Sequence, residues 1–253
     1  MTGPYLGLYF GYAAAVSGWL AARALLPGLW PRRDPVSFRR PWLEVLWILL
    51  VFGGVLLIGQ LYVRGVRLPS AGPLGPLAEA LNQALIFLPL PLLLLFRRQG
   101  PATAWITTSR VPVRLLVGLV VAGLALTAYL AARGRLADWG SAVVQVYHPK
   151  RIGIAVQVFF EDLAVAMAMV RLSAALKSRT AATAFVAILF AAGHIPALLA
   201  GGTAPGAMVS LVWDLGLALA ALSAAQRSAD IWWLWCVHFT MDMTQFLALG
   251  PNP

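Results

Sequence analysis

The residues in this sequence best suited to chemistry are five titratable side chains in its C-terminal half. They are Glu161, Asp162, His194, His238 and Asp242. All five lie within long apolar stretches, where a charged side chain costs roughly 3 kcal/mol on insertion scales. Side chains buried at that cost usually face the interior of a helix bundle and serve a function. We therefore expect these five to converge on one buried site.

Two spacings indicate how these side chains would be used. His238 and Asp242 are four residues apart, so on a helix they lie one turn apart on the same face. Glu161 and Asp162 are adjacent, so on a helix they point about 100° apart. Two neighbouring carboxylates in a medium of low dielectric constant repel each other, which suits one of them to hold or accept a proton near neutral pH. A general acid or base needs that property.

Each of these features also has a plain structural interpretation. His238 and Asp242 could form no more than a hydrogen bond between two helices. His194 is followed closely by Pro196 and could bind a backbone carbonyl that the proline leaves free. The adjacent acids are harder to explain without a role, because both are costly to bury. Together the five residues favour an active site.

Three motifs follow one another along the chain: Glu161-Asp162, then Phe190-x-x-x-His194, then His238-x-x-x-Asp242. In this order and spacing the sequence resembles the CAAX-protease and bacteriocin-processing family (CPBP or Abi), which includes the type II CAAX prenyl endopeptidases. Members of that family carry Glu-Glu-x-x-x-Arg, Phe-x-x-x-His and His-x-x-x-Asn or His-x-x-x-Asp on helices one, two and four of a four-helix core. The resemblance covers residues 151–253, while the first half of the chain matches only in being hydrophobic.

Two positions depart from the family pattern. Asp162 replaces the second Glu and is shorter by one methylene group. Ala166 stands where the motif has Arg, and the nearest arginine, Arg171, lies more than a helical turn further along. The role attributed to the motif Arg, orienting substrate or balancing charge, therefore has no evident occupant in this sequence.

The resemblance implies an intramembrane endopeptidase acting on membrane-associated substrates, either prenylated or bacteriocin-like peptides. It implies that Glu161 is the general base that activates a water molecule, with His194 nearby. His238 and Asp242 would orient the water or stabilise the oxyanion, and Asp162 completes the expected set of catalytic residues. Such a mechanism requires no cofactor. The alternative is a Zn²⁺ ion bound by the nitrogen and oxygen donors of the same cluster.

The alternative function is not enzymatic: a catalytically inactive Abi-fold scaffold in the membrane, or a proton-coupled transporter. Transporters use intramembrane acids and histidines as proton relays and often show symmetry between their halves. No such symmetry is visible here, and the acids and histidines are concentrated in one half, which favours a single reaction chamber. Neither the His-Glu-x-x-His nor the Gly-x-Ser-x-Gly motif of other proteases occurs in the sequence.

The elements that must position these residues are transmembrane helices. The chain is 60% apolar and only 11% charged, against about 25% charged residues in soluble domains. No apolar run alternates with period two, so an all-α membrane protein follows. We predict about four N-terminal transmembrane helices in residues 1–150 and a four-helix Abi-like core in residues 151–253. The eight predicted spans cover residues 5–26, 41–63, 74–96, 115–132, 152–176, 181–199, 207–225 and 231–249.

The net charge of +10 is distributed in short groups between the spans. Because the basic residues form no single patch, the pattern indicates contact with lipid headgroups and excludes nucleic acid as a partner. Counted over alternate loops, eleven basic residues lie on one side and six on the other, which predicts both termini outside. The resemblance implies the inner membrane of a prokaryotic cell. Cys236 is the only cysteine and predicts no disulfide.

Overall fold

The computed structural model describes residues 3–30, 35–193 and 205–248, and this part of the chain is helical with no strand. Short 3₁₀ turns occur at Pro101–Ala104, Leu136–Asp138 and Pro149–Arg151. The α-helices within the described ranges are α1 (Gly3–Leu25), α2 (Pro41–Val63), α3 (Gly75–Ile86), α4 (Pro89–Phe96), α5 (Val111–Ala132), α6 (Trp139–Val146), α7 (Ile152–Leu176), α8 (Arg179–Gly193), α9 (Pro205–Ser228) and α10 (Ile231–Ala248).

Apart from α6, the described helices overlap the predicted apolar runs, and two of them, α2 and α7, have the predicted bounds. Three are long and apolar enough to cross a membrane: α2, α5, and α7 together with the turn that precedes it. A fourth span is added if α3 and α4 are counted as one bent helix. The expectation of an all-α membrane protein is therefore confirmed at this level.

The third predicted span is broken where the sequence predicts a kink. Helix α3 ends at Ile86 and α4 begins at Pro89, with a bend of 48° between them. Proline lacks a backbone N–H and its ring clashes with the preceding turn, so a helix cannot continue through it undistorted. At the break, Phe87 stacks on Phe160 of α7, with ring centroids 5.8 Å apart.

The short helix α6 was not predicted. The sequence analysis treated residues 133–151 as a basic outer loop, but Ala142 and Val146 of α6 are buried against the bundle. The hydroxyl groups of Tyr147 and Thr240 are 2.7 Å apart, which ties the end of this segment to α10. An eight-residue helix is too short to produce a span-length hydropathy signal.

Helix α7 lies at the centre of the bundle, with α2, α3, α8 and α10 packed around it. Helix α10 also packs against α5, which in turn packs against α1. Small residues allow these helices to approach closely. A Cβ atom on Gly118 of α5 would lie 2.9 Å from Sγ of Cys236. One on Gly11 of α1 would lie 2.5 Å from Cε of Met241.

Two residues at the ends of predicted spans, where basic and aromatic side chains usually contact lipid headgroups, lie in the interior instead. Arg114 directly precedes the span predicted at 115–132, but it is 2% exposed and pairs with the fully buried Asp230. Trp233 lies near the start of the span predicted at 231–249, but it is 2% exposed and stacks on Trp19 of α1 with ring centroids 5.5 Å apart. Both residues connect α1 and α5 to the start of α10.

Candidate active site

Helices α7 and α10 run antiparallel and bring Asp162 and His238 into contact. The start of α10 binds Trp105, next to the turn that Arg171 near the end of α7 also binds, while Thr240 lies beside Tyr147, just before α7. The indole of Trp235 donates a further hydrogen bond of 2.8 Å to the carbonyl of Ala155. Nδ1 of His238 lies 2.9 Å from Oδ1 of Asp162. In the tautomer that carries the proton on Nδ1, this is a hydrogen bond donated to the carboxylate. The Asp162 side chain is 4% exposed, so the contact is deeply buried.

Asp242 lies on the other side of the same imidazole. Its Oδ2 atom is 3.6 Å from Nε2 of His238, as the four-residue spacing on α10 predicted. The side chain of Asp242 is 29% exposed and that of His238 is 13% exposed. His238 is therefore held between a buried carboxylate on α7 and a more accessible one on its own helix.

Glu161 joins the accessible side of this arrangement. Glu161, His238 and Asp242 each offer one donor atom, and these three atoms lie within 4.8 Å of one another. Nε2 of Gln157, one turn earlier on α7, donates a hydrogen bond of 2.8 Å to Oε1 of Glu161. The adjacent acids thus diverge as expected for neighbours on a helix: Asp162 contacts Nδ1 of the imidazole, while Glu161 lies beside Asp242.

Of the five predicted site residues, four come together in this way, and His194 lies outside the described residues. Phe190, which begins the same motif on α8, lies beside the site. Its ring centroid is 6.5 Å from that of His238, with an edge-on geometry. The part of α8 that leads to position 194 therefore faces the cluster, and the role of His194 stays a prediction.

The sequence analysis missed a residue from the N-terminal half that reaches the site. Tyr12 of α1 is half-buried and close enough to Asp242 and Asp162 to interact electrostatically with both carboxylates. The only clue in the sequence is a phenol within an apolar helix, since a buried tyrosine hydroxyl usually has a polar partner. Its position near the two carboxylates becomes evident only when α1 is packed against α10.

A row of polar side chains leads toward Glu161 from the end of the bundle where α7 begins. Oε1 of Glu79 on α3 accepts hydrogen bonds from Tyr62 at 2.7 Å and from Gln83 at 2.8 Å. Glu79 lies against Gly153, and Phe87 lies against Phe160, so α3 and α7 are parallel. This register places Gln83 at the level of Gln157, which binds Glu161. These polar side chains lie on the faces of α3 and α7 that pack against each other.

The arginine of the CPBP/Abi motif has no counterpart near this cluster within the described ranges. Ala166, at the corresponding position, is fully buried in the main hydrophobic core. Arg171 is also fully buried, and its guanidinium donates to the carbonyl of Met167 at 3.0 Å and to the side chain of Gln99. Nine residues separate it from Asp162, roughly 14 Å along a helix axis. Arg171 is therefore part of the packing at the far end of α7.

The donor set of Glu161, His238 and Asp242 is compatible with a divalent metal ion. One imidazole nitrogen and two carboxylate oxygens match the ligands of catalytic zinc sites, which keep a further position for water. Asp162 on the opposite ring nitrogen is the carboxylate partner that metal-binding histidines usually have. The geometry thus allows either a metal-free site or a zinc site.

Comparisons with known proteins found no family model, curated protein or solved structure that matches this chain.

Proposed function

We propose that the protein is an intramembrane endopeptidase of the CPBP/Abi type, which hydrolyses peptide bonds of membrane-associated substrates. The observation that carries this proposal is the convergence of Glu161, His238 and Asp242 within 4.8 Å between two apolar helices. Glu161 lies nine residues into α7, roughly 14 Å below its start, near the middle of a bilayer core about 30 Å thick. A polar cluster at that depth is costly to form without a function.

In the proposed reaction, Glu161 accepts a proton from a water molecule while the water oxygen bonds to the carbonyl carbon of the substrate. The tetrahedral intermediate then breaks its C–N bond, and the proton held by Glu161 passes to the leaving amine nitrogen. Gln157 holds one carboxylate oxygen of Glu161, leaving the other for the water. The polar row of Glu79, Gln83 and Gln157 supports a supply of water from the membrane surface.

His238 is the group suited to stabilise the oxyanion that forms during this reaction. A protonated imidazole between Asp162 and Asp242 is balanced by negative charge on both sides and can donate a hydrogen bond from Nε2. Asp162, which contacts the far nitrogen, acts as a positioning residue for the ring. This charge on His238 also supplies a cation within the site in the absence of the family's arginine.

The directions of the helices support a topology of eight spans. Contacts of Gly7 with Tyr129 and of Gly11 with Ala125 make α1 antiparallel to α5. Helix α10 begins near the end of α7 and reaches Tyr147, just before α7, at Thr240, so these two helices are antiparallel as well. If the eight predicted spans cross the membrane in alternating directions, spans one and four are antiparallel, and so are spans five and eight. By its resemblance to the family, we assign the protein to the inner membrane of a prokaryotic cell.

The test of this proposal is the variant Glu161→Gln, which keeps the shape of the side chain but cannot accept the proton. With a panel of lipidated and hydrophobic peptides and detergent-solubilised protein, we expect peptide hydrolysis to fall at least about a hundredfold. The control Asp138→Asn changes an exposed acid outside the cluster and should leave hydrolysis unchanged. Equal cleavage by Glu161→Gln and the unaltered protein would overturn the role of Glu161. Cleavage by neither protein would favour the scaffold or transporter.

Treatment with a chelator distinguishes a metal-free mechanism from one that uses a zinc ion. Treatment with 1,10-phenanthroline should leave hydrolysis unchanged if Glu161 activates water without a metal. A loss that added Zn²⁺ restores would instead assign a zinc ion to Glu161, His238 and Asp242, where it would lower the energy needed to ionise its bound water.

A further inference from the structure

A cavity of about 710 Å³ lies at the end of the bundle where α7 ends and α8 begins. Its walls come from the segment before α2, the turn near Trp105, the last turns of α7 and the end of α9. Much of the lining is apolar and includes Val36, Phe38, Met169 and Val170. The volume is typical of sites that bind small molecules, and the site differs from the cluster around His238.

The wall of this cavity is held in place by internal contacts. The guanidinium of Arg171 lies 5.7 Å from the centre of the Phe38 ring, which fixes the segment before α2 against α7. On the opposite wall, Gln226 donates a hydrogen bond of 2.9 Å to Ser173 and accepts one of 2.8 Å from Thr183. Because these side chains form hydrogen bonds with one another, this wall of the cavity does not need a ligand to hold its shape.

The mouth of the cavity is positively charged. Lys177 and Arg179 line it, both are exposed, and neither forms an ion pair within the described ranges. Arg39 and Arg40 are exposed on the segment that supplies Phe38. None of the described lining residues is acidic, and Asp34 in the same loop lies outside the described residues. An occupant should therefore combine an apolar part with an anionic group.

The mouth of the cavity lies at the level expected for the membrane surface. Lys177 directly follows α7, a helix of 25 residues that is long enough to cross the bilayer. The basic loops of this end of the bundle are those that the positive-inside rule assigns to the inner side. Cations at this level are near the phosphate groups of lipids, and the cavity extends from them into apolar surroundings.

We propose that this cavity binds one anionic glycerophospholipid, with its phosphate at Lys177 and Arg179 and an acyl chain against Val36 and Phe38. The start of α8, capped by Ser178, adds partial positive charge near the same phosphate. Ser173 is twelve residues from Glu161, roughly 18 Å along the helix axis. The lipid is therefore separate from the reaction centre, and the inference does not rest on the proposed reaction.

The experiment measures lipid binding by the full-length protein. Native mass spectrometry of detergent-purified protein should detect one retained phosphatidylglycerol molecule, and phosphatidylglycerol should raise the unfolding temperature more than phosphatidylcholine does. The variant Lys177→Gln/Arg179→Gln should bind phosphatidylglycerol at least about tenfold more weakly, because two cations near the phosphate are removed. Ala174→Leu, which fills part of the cavity without changing charge, should weaken binding of the lipid as well.

The matched control is Lys150→Gln/Arg151→Gln, a basic pair at the opposite end of α7 that should leave binding unchanged. Unchanged affinity in Lys177→Gln/Arg179→Gln, or an equal loss in the control pair, would overturn the proposal. Competition by glycerol 3-phosphate at the same concentration as the lipid would also overturn it, because the ligand would then be a soluble phosphate. If the double variant does not fold, Lys177→Gln alone and Ala174→Leu decide the question.

Discussion

His238 has a carboxylate facing each of its ring nitrogens, with Asp162 2.9 Å from Nδ1 and Asp242 3.6 Å from Nε2. Because one carboxylate comes from α7 and the other from α10, the orientation of the ring depends on both helices. Of the two carboxylates, Asp162 is buried and Asp242 is partly exposed. At this scale the candidate site is a histidine with three acids around it.

The role of Asp162 is tested by Asp162→Asn. The amide keeps the size of the side chain but removes the negative charge opposite Nδ1, so we expect kcat to fall roughly 10–100-fold, the range for partners that orient a functional histidine. KM should change little, because Asp162 is buried and does not contact the substrate. Asp162→Glu should restore part of the loss. An equal fall in kcat for Asp162→Asn and the exposed control Asp138→Asn would contradict a positioning role.

The structure does not accommodate an arginine at position 166, where the CPBP/Abi motif has one. Ala166 is fully buried in the core around α7, so an arginine there would require both space and a partner for its charge. The packing around Ala166 therefore leaves no room for the arginine of the CPBP/Abi motif.

At the scale of elements, glycines allow α5 to pack closely on α10. A Cβ atom on Gly118 would lie 3.0 Å from Cα of Trp233 as well as 2.9 Å from Sγ of Cys236. The backbone of α10 cannot yield without moving His238, which is five residues further along the same helix. Gly118 therefore affects the site indirectly, because it determines how closely α10, which carries His238, packs against α5.

The variant Gly118→Ala tests this contact against Gly123→Ala on the same helix, where an added Cβ has no neighbour within 4 Å. We expect Gly118→Ala to lower the free energy of unfolding by about 1–3 kcal/mol, the usual cost of overpacking. Gly123→Ala should raise it by up to about 1 kcal/mol, because alanine favours helix. Thermal unfolding in detergent measures both. Equal midpoints for the two variants would show that α5 and α10 are not in close contact.

The positions of helices could be predicted from sequence because burial in lipid requires long apolar runs, and α2 and α7 begin and end where those runs do. The pairing of Asp162 with His238 could not be predicted from the sequence, because it depends on how far α7 is rotated about its axis toward α10. Adjacent acids point in different directions, but the sequence does not say which of them faces the histidine. Tyr12 was missed for the same reason, because a tyrosine in an apolar helix has no spacing that identifies its partner.

At the scale of the whole molecule, Arg114 connects segments that are distant in the sequence. Besides Asp230, its guanidinium donates hydrogen bonds to the carbonyls of Leu29 and Ser109. The indole of Trp30 donates a further hydrogen bond of 2.7 Å to Asp230. The end of α1, the start of α5 and the start of α10 therefore meet at one buried ion pair.

Breaking this pair should destabilise the whole bundle. Arg114→Met leaves Asp230 buried without its cation, and removing one partner of a buried pair typically costs about 3–5 kcal/mol. Arg110→Met, four residues earlier at an exposed position, should leave the unfolding temperature unchanged. Unfolding followed by tryptophan fluorescence reports the difference. An Arg114→Met protein as stable as Arg110→Met would show that the ion pair contributes no stability.

The predicted orientation, with both termini outside, rests on the basic loops and can be tested with single cysteines in a Cys236→Ala background. Cys236 is 6% exposed, so it is a poor target for reagents in any case. An impermeant maleimide should label Arg135→Cys in intact cells, and Arg98→Cys only after the membrane is permeabilised. The reverse pattern would place both termini inside.

Because Asp162 and His238 are far apart in the sequence, the ribosome synthesises the two halves of the site at different times. Asp162 and His238 are separated by 76 residues, so at 5–20 residues per second α10 is synthesised roughly 4–15 s after the middle of α7. During that interval the ribosome has delivered two acids to the translocation channel before their histidine exists. A chain that stops after Ala229 should therefore leave α7 poorly inserted, whereas the complete chain secures it once α10 arrives.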